Sequence, residues 1–596
     1  MEEFDWAIRP VGSLEEIAEL GKALNDLPDA LARALYLRDV QTLEEAKLYF
    51  RGGLDATPDA MLMADMPEAC ARLQSAISGR ERVVVYGDYD VDGTTSTAMV
   101  THFLRSRGVP AAYFIPDRFK HGYGLCKAGL DEALELGASL VIAIDCGVTA
   151  VEEAQYARDL GLDLIICDHH TPPSVLPVAV AVLDPKRSDC PYPFKELCGC
   201  GVAFKLLQAV VKSLGLSPSV LDQYLDLVAL ATASDVVPLL GENRILLREG
   251  LKRLQTEPRL GIRMMAEEAN VLLESCDTRA IQFNLAPRIN AAGRLGDAKR
   301  AVKLLLTDDE AEASERARQL EKVNRERRTV DQLVLAQASD LAEKQLEEEG
   351  RASIVLYDPG WHIGVVGIVA SRLVDRFNRP AVLLGQVNGV AKGSARSIPG
   401  VNIYNALAAC KDLLKTFGGH DYAAGLALDP NLLESFQKRF DTAVASAATS
   451  ESFRKALDID AEVNLSEITN RFWAVLQQFG PFGQDNDRPV FVARNLAVPF
   501  RPTLVGRTQD HVKFRVQHGD SPPMNVIGFR LASRFDLISE VAREGSKLDL
   551  AFTVSLNQWN GVRTLQLEAK GVKRSSLSLH DRTSILEDHV TATSSD

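Results

Sequence analysis

Between about residues 80 and 185 one pattern recurs five times and restricts the folds open to this 596-residue chain: a short apolar run ends in an aspartate, and an amphipathic stretch follows. The runs are RVVVYGD to Asp88, AAYFIPD to Asp117, SLVIAID to Asp145, DLIICD to Asp168 and VAVAVLD to Asp184. Apolar runs of this length without alternation suit strands buried on both faces of a parallel sheet, and the stretches between them suit crossover helices. The pattern predicts an α/β doubly wound domain, in which ligands bind beyond the carboxyl ends of the strands. Each aspartate falls at such an end. One Asp after a strand is ordinary turn chemistry, but five in succession weaken that explanation.

The length exceeds what one hydrophobic core supports, so several domains are expected. The chain reads as a helical extension over 1–70, the sheet domain over 71–306, a connecting helix over 307–350, a second α/β domain over 351–465, a β-rich domain over 466–573 and a flexible tail over 574–596. Asp308 to Glu349 contains no Gly or Pro and places Leu320, Val323, Val330, Val334 and Leu341 near heptad spacing. It suits a rigid helical spacer rather than a solvated helix or coiled coil. RASIVLYDPG and PAVLLG open the second α/β unit, whereas VKFRV, LDLAFTVSL and TLQLEAK are short alternating strands, with Asn560-Gly561 as a hairpin turn.

A net charge of −14 argues against a protein that coats nucleic acid with its whole surface, and leaves room for a local basic groove. MEEFDWAIRP lacks a basic n-region, and no apolar run approaches a membrane span, so a cytoplasmic protein with no membrane partner is expected. Nine cysteines without CxxC pairing read as reduced thiols, and Cys190, Cys198 and Cys200 lack zinc-knuckle spacing.

Asp88, Asp90 and Asp92 lie within five residues, flanked by Gly87 and Gly93. Their mutual repulsion is most simply relieved by divalent cations. Further strand ends carry Asp145-Cys146-Gly147 and Asp168-His169-His170. A mixed carboxylate and imidazole set favours Mn2+ or Mg2+, the imidazole tilting toward Mn2+. DYDVDG also resembles the opening of a calcium loop, but the glutamate such a loop needs is replaced by Met99 and the flanking strand contradicts a helix-loop-helix.

GDYDVDG, DCG, DHH, ATASDVVPL around Asp235, PRINAAGR from Pro287, KGSARS from Lys392 and FGGHDYAAG from Phe417 together resemble the DHH phosphoesterase superfamily, and more closely its RecJ branch, the single-strand-specific 5′-to-3′ exonucleases of bacteria. The resemblance implies a parallel-sheet DHH domain, joined by a long helix to a DHHA1 domain and followed by an OB-fold-like β-barrel. It implies two-metal hydrolysis of single-stranded DNA in recombination and repair, with a single-strand-binding protein and a helicase as partners to look for. The competing activities within the superfamily act on short oligonucleotides or cyclic dinucleotides. A non-catalytic nucleic-acid scaffold is the other alternative, and it predicts decay of a metal set that is complete here.

Carried over to this sequence, the resemblance makes Asp90, Asp92, Asp145, His169 and Asp235 metal ligands. Asp145 lies between the ions, Asp90 on one, and Asp92, His169 and Asp235 on the other. Asp88 and Asp168 are neighbours that orient ligands or reach an ion through water. His170 contacts the scissile phosphate or orients His169, completing a catalytic set of Asp145, Asp168, His169 and His170. Some relatives carry a histidine where this chain has Tyr86, which leaves the first ion's shell open. Arg288, Asn290 and Arg294 suit phosphate contacts, Arg396 and Ser397 a terminal 5′ phosphate, and Gly418, Gly419 and His420 a close approach to the nucleotide end. In the β-rich domain Phe491, Phe500, Phe514, Phe529 and Trp559 lie among cations, as in a groove that stacks bases, with about half of them expected in the core.

Overall fold

The computed structural model describes residues 5–118, 120–122, 124–347, 349–449, 451–559 and 561–575. The expected tail beyond residue 575 lies outside the described residues. Two compact units form: one from Gly52–Phe453 with Pro481–Asn486, the other from the described residues up to Arg51, from Arg454–Gly480 and from Asp487 onward.

In the larger unit each of the five apolar runs is a strand: β1 Val83–Gly87, β2 Ala111–Phe114, β3 Leu140–Ile144, β4 Asp163–Cys167 and β5 Ala181–Leu183. All pair in parallel in the order β2-β1-β3-β4-β5. Every residue of β1 and β3 is buried, which is why their sequences do not alternate. Val83, Val85 and Ile142 face one core, and Val84, Tyr86 and Val141 the other. The chain leaves β1 toward β2 and returns to β3 on the opposite side. The crevice between the ends of β1 and β3 is therefore the topological switch point, where such sheets bind ligands.

Four helices bring further residues to that edge: α1 Val91–Ser106, α2 Gly199–Ser213, α3 Leu225–Ser234 and α4 Ala286–Leu295. Next comes α5, Glu310–Glu347, whose 38 residues span about 57 Å at ~1.5 Å per residue. Its amino-terminal third buries Ala313, Ala317 and Leu320 in the core of the first sheet. Its carboxyl-terminal third buries Val334, Ala338 and Ala342 against a second sheet. That sheet contains β6 Ile354–Tyr357, β7 Ala381–Val387, β8 Val390–Arg396, β9 Leu414–Gly419 and β10 Ala423–Leu428, in the order β9-β10-β8-β7-β6, with α6 Ile363–Phe377 packed on it. The helix thus docks on two cores, while Leu341, placed on the apolar stripe by its spacing, is 43% exposed.

The smaller unit departs from the linear division read from the sequence. Asp5–Ile8 pairs in parallel with Ala456–Ile459, and Ala461–Glu462 pairs with Phe491–Leu496. Residues 454–465, assigned above to the second α/β domain, therefore belong with the β-rich domain, as does the extension up to Arg51. Arg33 fixes this arrangement by donating from Nε to the Asp460 carbonyl at 2.7 Å, a contact across 427 positions that local pattern cannot reveal. Seven strands form one sheet running from Ala461–Glu462 to Thr503–Val505, with the 548–559 and 562–574 strands as its long central hairpin.

Gly93 is the tightest point of the switch-point loop: a Cβ there would meet Asp88 backbone atoms at 2.5–2.6 Å. Gly93→Ala should lower the melting temperature through the ~1–3 kcal/mol cost of overpacking. Gly79→Ala, whose added Cβ meets only the Glu81 side chain at 3.5 Å, should leave it unchanged or raise it. Thermal unfolding of both variants checks this, and equal effects would contradict it.

Candidate metal centre

Asp88 leaves the end of β1, and two residues later Asp90 caps α1 by accepting the Gly93 N–H on Oδ1 at 3.0 Å. Asp92 sits in the first turn of α1. Its Oδ2 accepts the Gly199 N–H at 2.6 Å and its Oδ1 the Cys200 N–H at 2.7 Å, so it also lies on the amino terminus of α2. A helix amino terminus favours a carboxylate there. Asp145 follows β3 in the left-handed region, with φ +60°, an uncommon conformation outside glycine that concentrates at functional sites. A Cβ on Gly199 would fall 2.8–2.9 Å from the Asp145 Cβ and Cα, so glycine is what allows α2 to approach. Asp235 ends α3 and accepts the Val236 N–H on Oδ1.

Three groups of ligand atoms lie within 4.8 Å of one another: Asp88, Asp90 and Asp145; Asp92, His169 and Asp235; and Asp145, His169 and His170. His169 Nε2 stands 3.2 Å from Asp145 Oδ1, 3.5 Å from Asp235 Oδ2 and 3.9 Å from Asp92 Oδ2. Burial raises the carboxyls of Asp88, Asp90, Asp92 and Asp145 above the ordinary range, and neighbouring carboxylates raise them further. Asp88 Oδ1, Asp235 Oδ2 and His169 Nδ1 are buried without a hydrogen bond. Buried carboxylates with orphan oxygens and an imidazole aimed between them are a donor set for divalent cations.

Asp168 has a different task. Its oxygens accept the Val148 and His169 backbone N–H groups at 2.9 and 2.8 Å, and His170 Nδ1 lies 2.7 Å away. Burial opposes ionisation of Asp168, but the bond and charge of His170 outweigh it and bring its pKa to about 2. Burial likewise opposes charge on His170, while Asp168 lifts it to about 9. Asp168 thus holds the backbone of His169 and the ring of His170, and it draws His170 toward its charged form.

Tyr86 points away from this edge. Its ring is fully buried against Phe114, and its hydroxyl donates to the Gly124 carbonyl at 2.9 Å. Asp88, expected to orient ligands or reach an ion through water, stands in the group with Asp90 and Asp145. The remaining strand-end aspartates take the turn role: Asp117 accepts the Lys120 N–H and Asp184 the Lys186 N–H.

A cationic cluster adjoins the carboxylates. Burial, together with the charges of Arg118, Arg327 and Arg396, lowers the pKa of Arg294 to about 10. Arg118 lies over the Tyr89 ring at 5.3 Å, and the tight contact of Gly293 with the Tyr89 carbonyl sets α4 against the DYD loop. Sequence reasoning found Arg294 and Arg396 but missed Arg118 and Arg327. The position of Arg118 directly after a strand-end aspartate was a usable signal; Arg327, one charge among many on α5, offered none.

Two expected phosphate contacts are otherwise engaged. Arg288 is buried, with Nη2 2.7 Å from Glu321 Oε2 and Nη1 donating to the Asn284 carbonyl, so it ties α4 to α5. The Ser397 hydroxyl donates to the Val401 carbonyl, whereas Ser394 Oγ accepts from Arg396 at 2.6 Å. Asn290 is half-buried on α4. Gly418 and Gly419 end β9, and exposed His420 follows on the hairpin whose return strand pairs Ala423 with Arg396. In the smaller unit Phe491 and Phe514 are core residues. Phe500 and Phe529 are about half exposed, with Arg515 5.3 Å from the first ring and His511 5.3 Å from the second. The side chain of Trp559 lies outside the described residues.

The DHH family, N-terminal domain, matches residues 82–232, the DHHA1 domain residues 350–446, and the RecJ OB domain residues 459–571. The single-stranded-DNA-specific exonuclease RecJ of Dickeya dadantii is 36% identical over 569 residues, covering 91% of this chain and 96% of that protein. The protein of the same name from Bacillus subtilis is 37% identical over 571 residues, covering 95% and 70%. The crystal structure of RecJ in complex with Mn2+ from Thermus thermophilus superposes with a TM-score of 0.82 at 30% identity, covering 96% of this chain and 80% of that one. With these three domains in one order and this identity along nearly its whole length, the chain belongs to the RecJ family.

Proposed function

We propose that the chain is a metal-dependent exonuclease that hydrolyses phosphodiester bonds of single-stranded DNA from the 5′ end, in DNA recombination and repair. The observation that carries the reading is the pair of ligand groups joined through Asp145 and His169 at the switch point, with guanidinium groups beside them. The activity agrees with that for which the relatives from Bacillus subtilis and Dickeya dadantii are named.

Asp88, Asp90 and Asp145 fit one cation, and Asp92, Asp145, His169 and Asp235 a second. Mn2+ or Mg2+ held by these residues would supply a polarised water and offset charge accumulating on the phosphodiester. His170, held charged by Asp168, donates a hydrogen bond to a phosphate oxygen, and Asp168 fixes its direction. Arg118, Arg294, Arg327 and Arg396 repel one another, so they favour a doubly charged terminal phosphate over a singly charged internal one. That preference supports attack at a strand end that bears a phosphate. Phe500, beside Arg515, and Phe529, beside the His511 ring, suit holding bases of the strand in the β-rich unit. A single-strand-binding protein and a helicase are the partners this reading calls for. No helix of the described residues is long and apolar enough to cross a membrane, and a cytoplasmic site of action follows from the substrate.

Asp145→Ala should abolish Mn2+-dependent degradation of a 5′-labelled strand while strand affinity stays within a few-fold of wild type. Unchanged turnover would overturn the mechanism. Asp168→Asn, which removes a positioning charge, should slow turnover ~10–100-fold and lower the pKa of His170, read by NMR. Carboxyls raised in the folded state hold protons that the unfolded chain releases near pH ~4, so without cations stability falls as pH rises from there toward neutrality. Ions binding the ionised carboxylates remove that loss, giving about 2.7 kcal/mol at a hundredfold excess over Kd. The melting temperature in Mn2+ minus that in chelator should therefore widen from pH 5 to pH 8, and a constant difference would contradict it.

A further inference from the structure

Thr278–Ala280, the π-turn Ile281–Leu285 and α4 follow one another without a break. Ile281, Leu285, Ala286, Ile289 and Ala292 are buried in the core. Left outside it at helical spacing are Arg279, Phe283, Pro287, Asn290 and Arg294. Phe283 is 65% exposed, and the Arg279 guanidinium lies 5.9 Å from its ring centre. A single exposed apolar residue is common and signifies little. This one differs in where its face of the helix leads, which is to Arg294, the guanidinium cluster and the Asp90 loop. It also sits on a π-turn, a distortion that concentrates at functional sites.

From this arrangement we infer that Phe283, backed by Arg279, is a stacking platform for a base of the single strand several nucleotides beyond its bound end. The inference rests on the exonuclease reading and adds to it a specific contact on the path of the strand. Eleven residues separate Phe283 from Arg294, about 16 Å at ~1.5 Å per residue. A stacked strand advances ~3.4 Å per phosphate, so the span matches about five nucleotides. An aromatic ring stacks on any base, so the platform holds the strand without reading its sequence.

Phe283→Ala should weaken binding of a strand of about 12 nucleotides, measured in chelator so that it stays intact, by about 5- to 150-fold, the ~1–3 kcal/mol of one stacked base. It should raise KM more than it lowers kcat and leave the melting temperature unchanged, and Phe283→Tyr should restore affinity. The fluorescence of Phe283→Trp should be quenched by the same strand and not by a dinucleotide, which is too short to reach it. Wild-type affinity in Phe283→Ala, or no quenching by the longer strand, would overturn the platform. A wild-type protein that neither binds nor degrades single strands in Mn2+ would instead overturn the exonuclease reading on which it rests.

Discussion

Both carboxylate oxygens of Asp92 are bonded to the first amides of α2, and the geometry of the site depends on that contact. It joins the helix that follows β1 to a helix reached more than a hundred residues later in the chain. It brings Gly199 against Asp145, so that the loops after β1 and β3 meet at the switch point. It also gives a buried carboxylate the partial positive charge of a helix end, which partly offsets the cost of collecting so many acids in one place. The rest of that cost falls to cations, and the orphan oxygens of Asp88 and Asp235 lie within the two groups where cations would bind.

Opposite charges are sorted across a short distance at this edge. Carboxylates occupy the strand ends, and guanidinium groups come from the loop after β2, from α4, from α5 and from β8, so both sheets of the larger unit contribute. The middle of α5 reflects that task. Its ends bury alanine, leucine and valine in two cores, whereas Glu321, Asn324, Arg327 and Asp331 are buried between them. A polar layer of this kind is poor at adding stability. Here it places Arg327 in the cation cluster and holds Arg288 and Arg372 in ion pairs with Glu321 and Asp331.

How much of this was legible depended on whether the information was local. Strand ends, their aspartates and the DHH triplet are short-range patterns, so the sheet and the residues gathered at its edge could be read from the sequence. Division of labour among them could not. Asp117 and Asp184 look like Asp88 and Asp145 in the sequence, and only the strand order shows that β1 and β3 flank the switch point. Tyr86 left the first ion's shell open because some relatives carry a histidine at that position, yet its ring packs with Phe114 on the other face. Arg288 and Arg294 share a motif, but six residues turn them to different sides of α4, and one ends in an ion pair. The smaller unit was least legible, because its first strand pairs with a segment some 450 positions later in the chain.

The central claim is that two cations share Asp145. Anomalous diffraction from crystals of the protein soaked in Mn2+ tests it most directly. The account predicts two peaks about 3.5–4 Å apart, one touched by Asp88 and Asp90, the other by Asp92, His169 and Asp235, with Asp145 touching both. A single peak, or two peaks that Asp145 does not bridge, would contradict it.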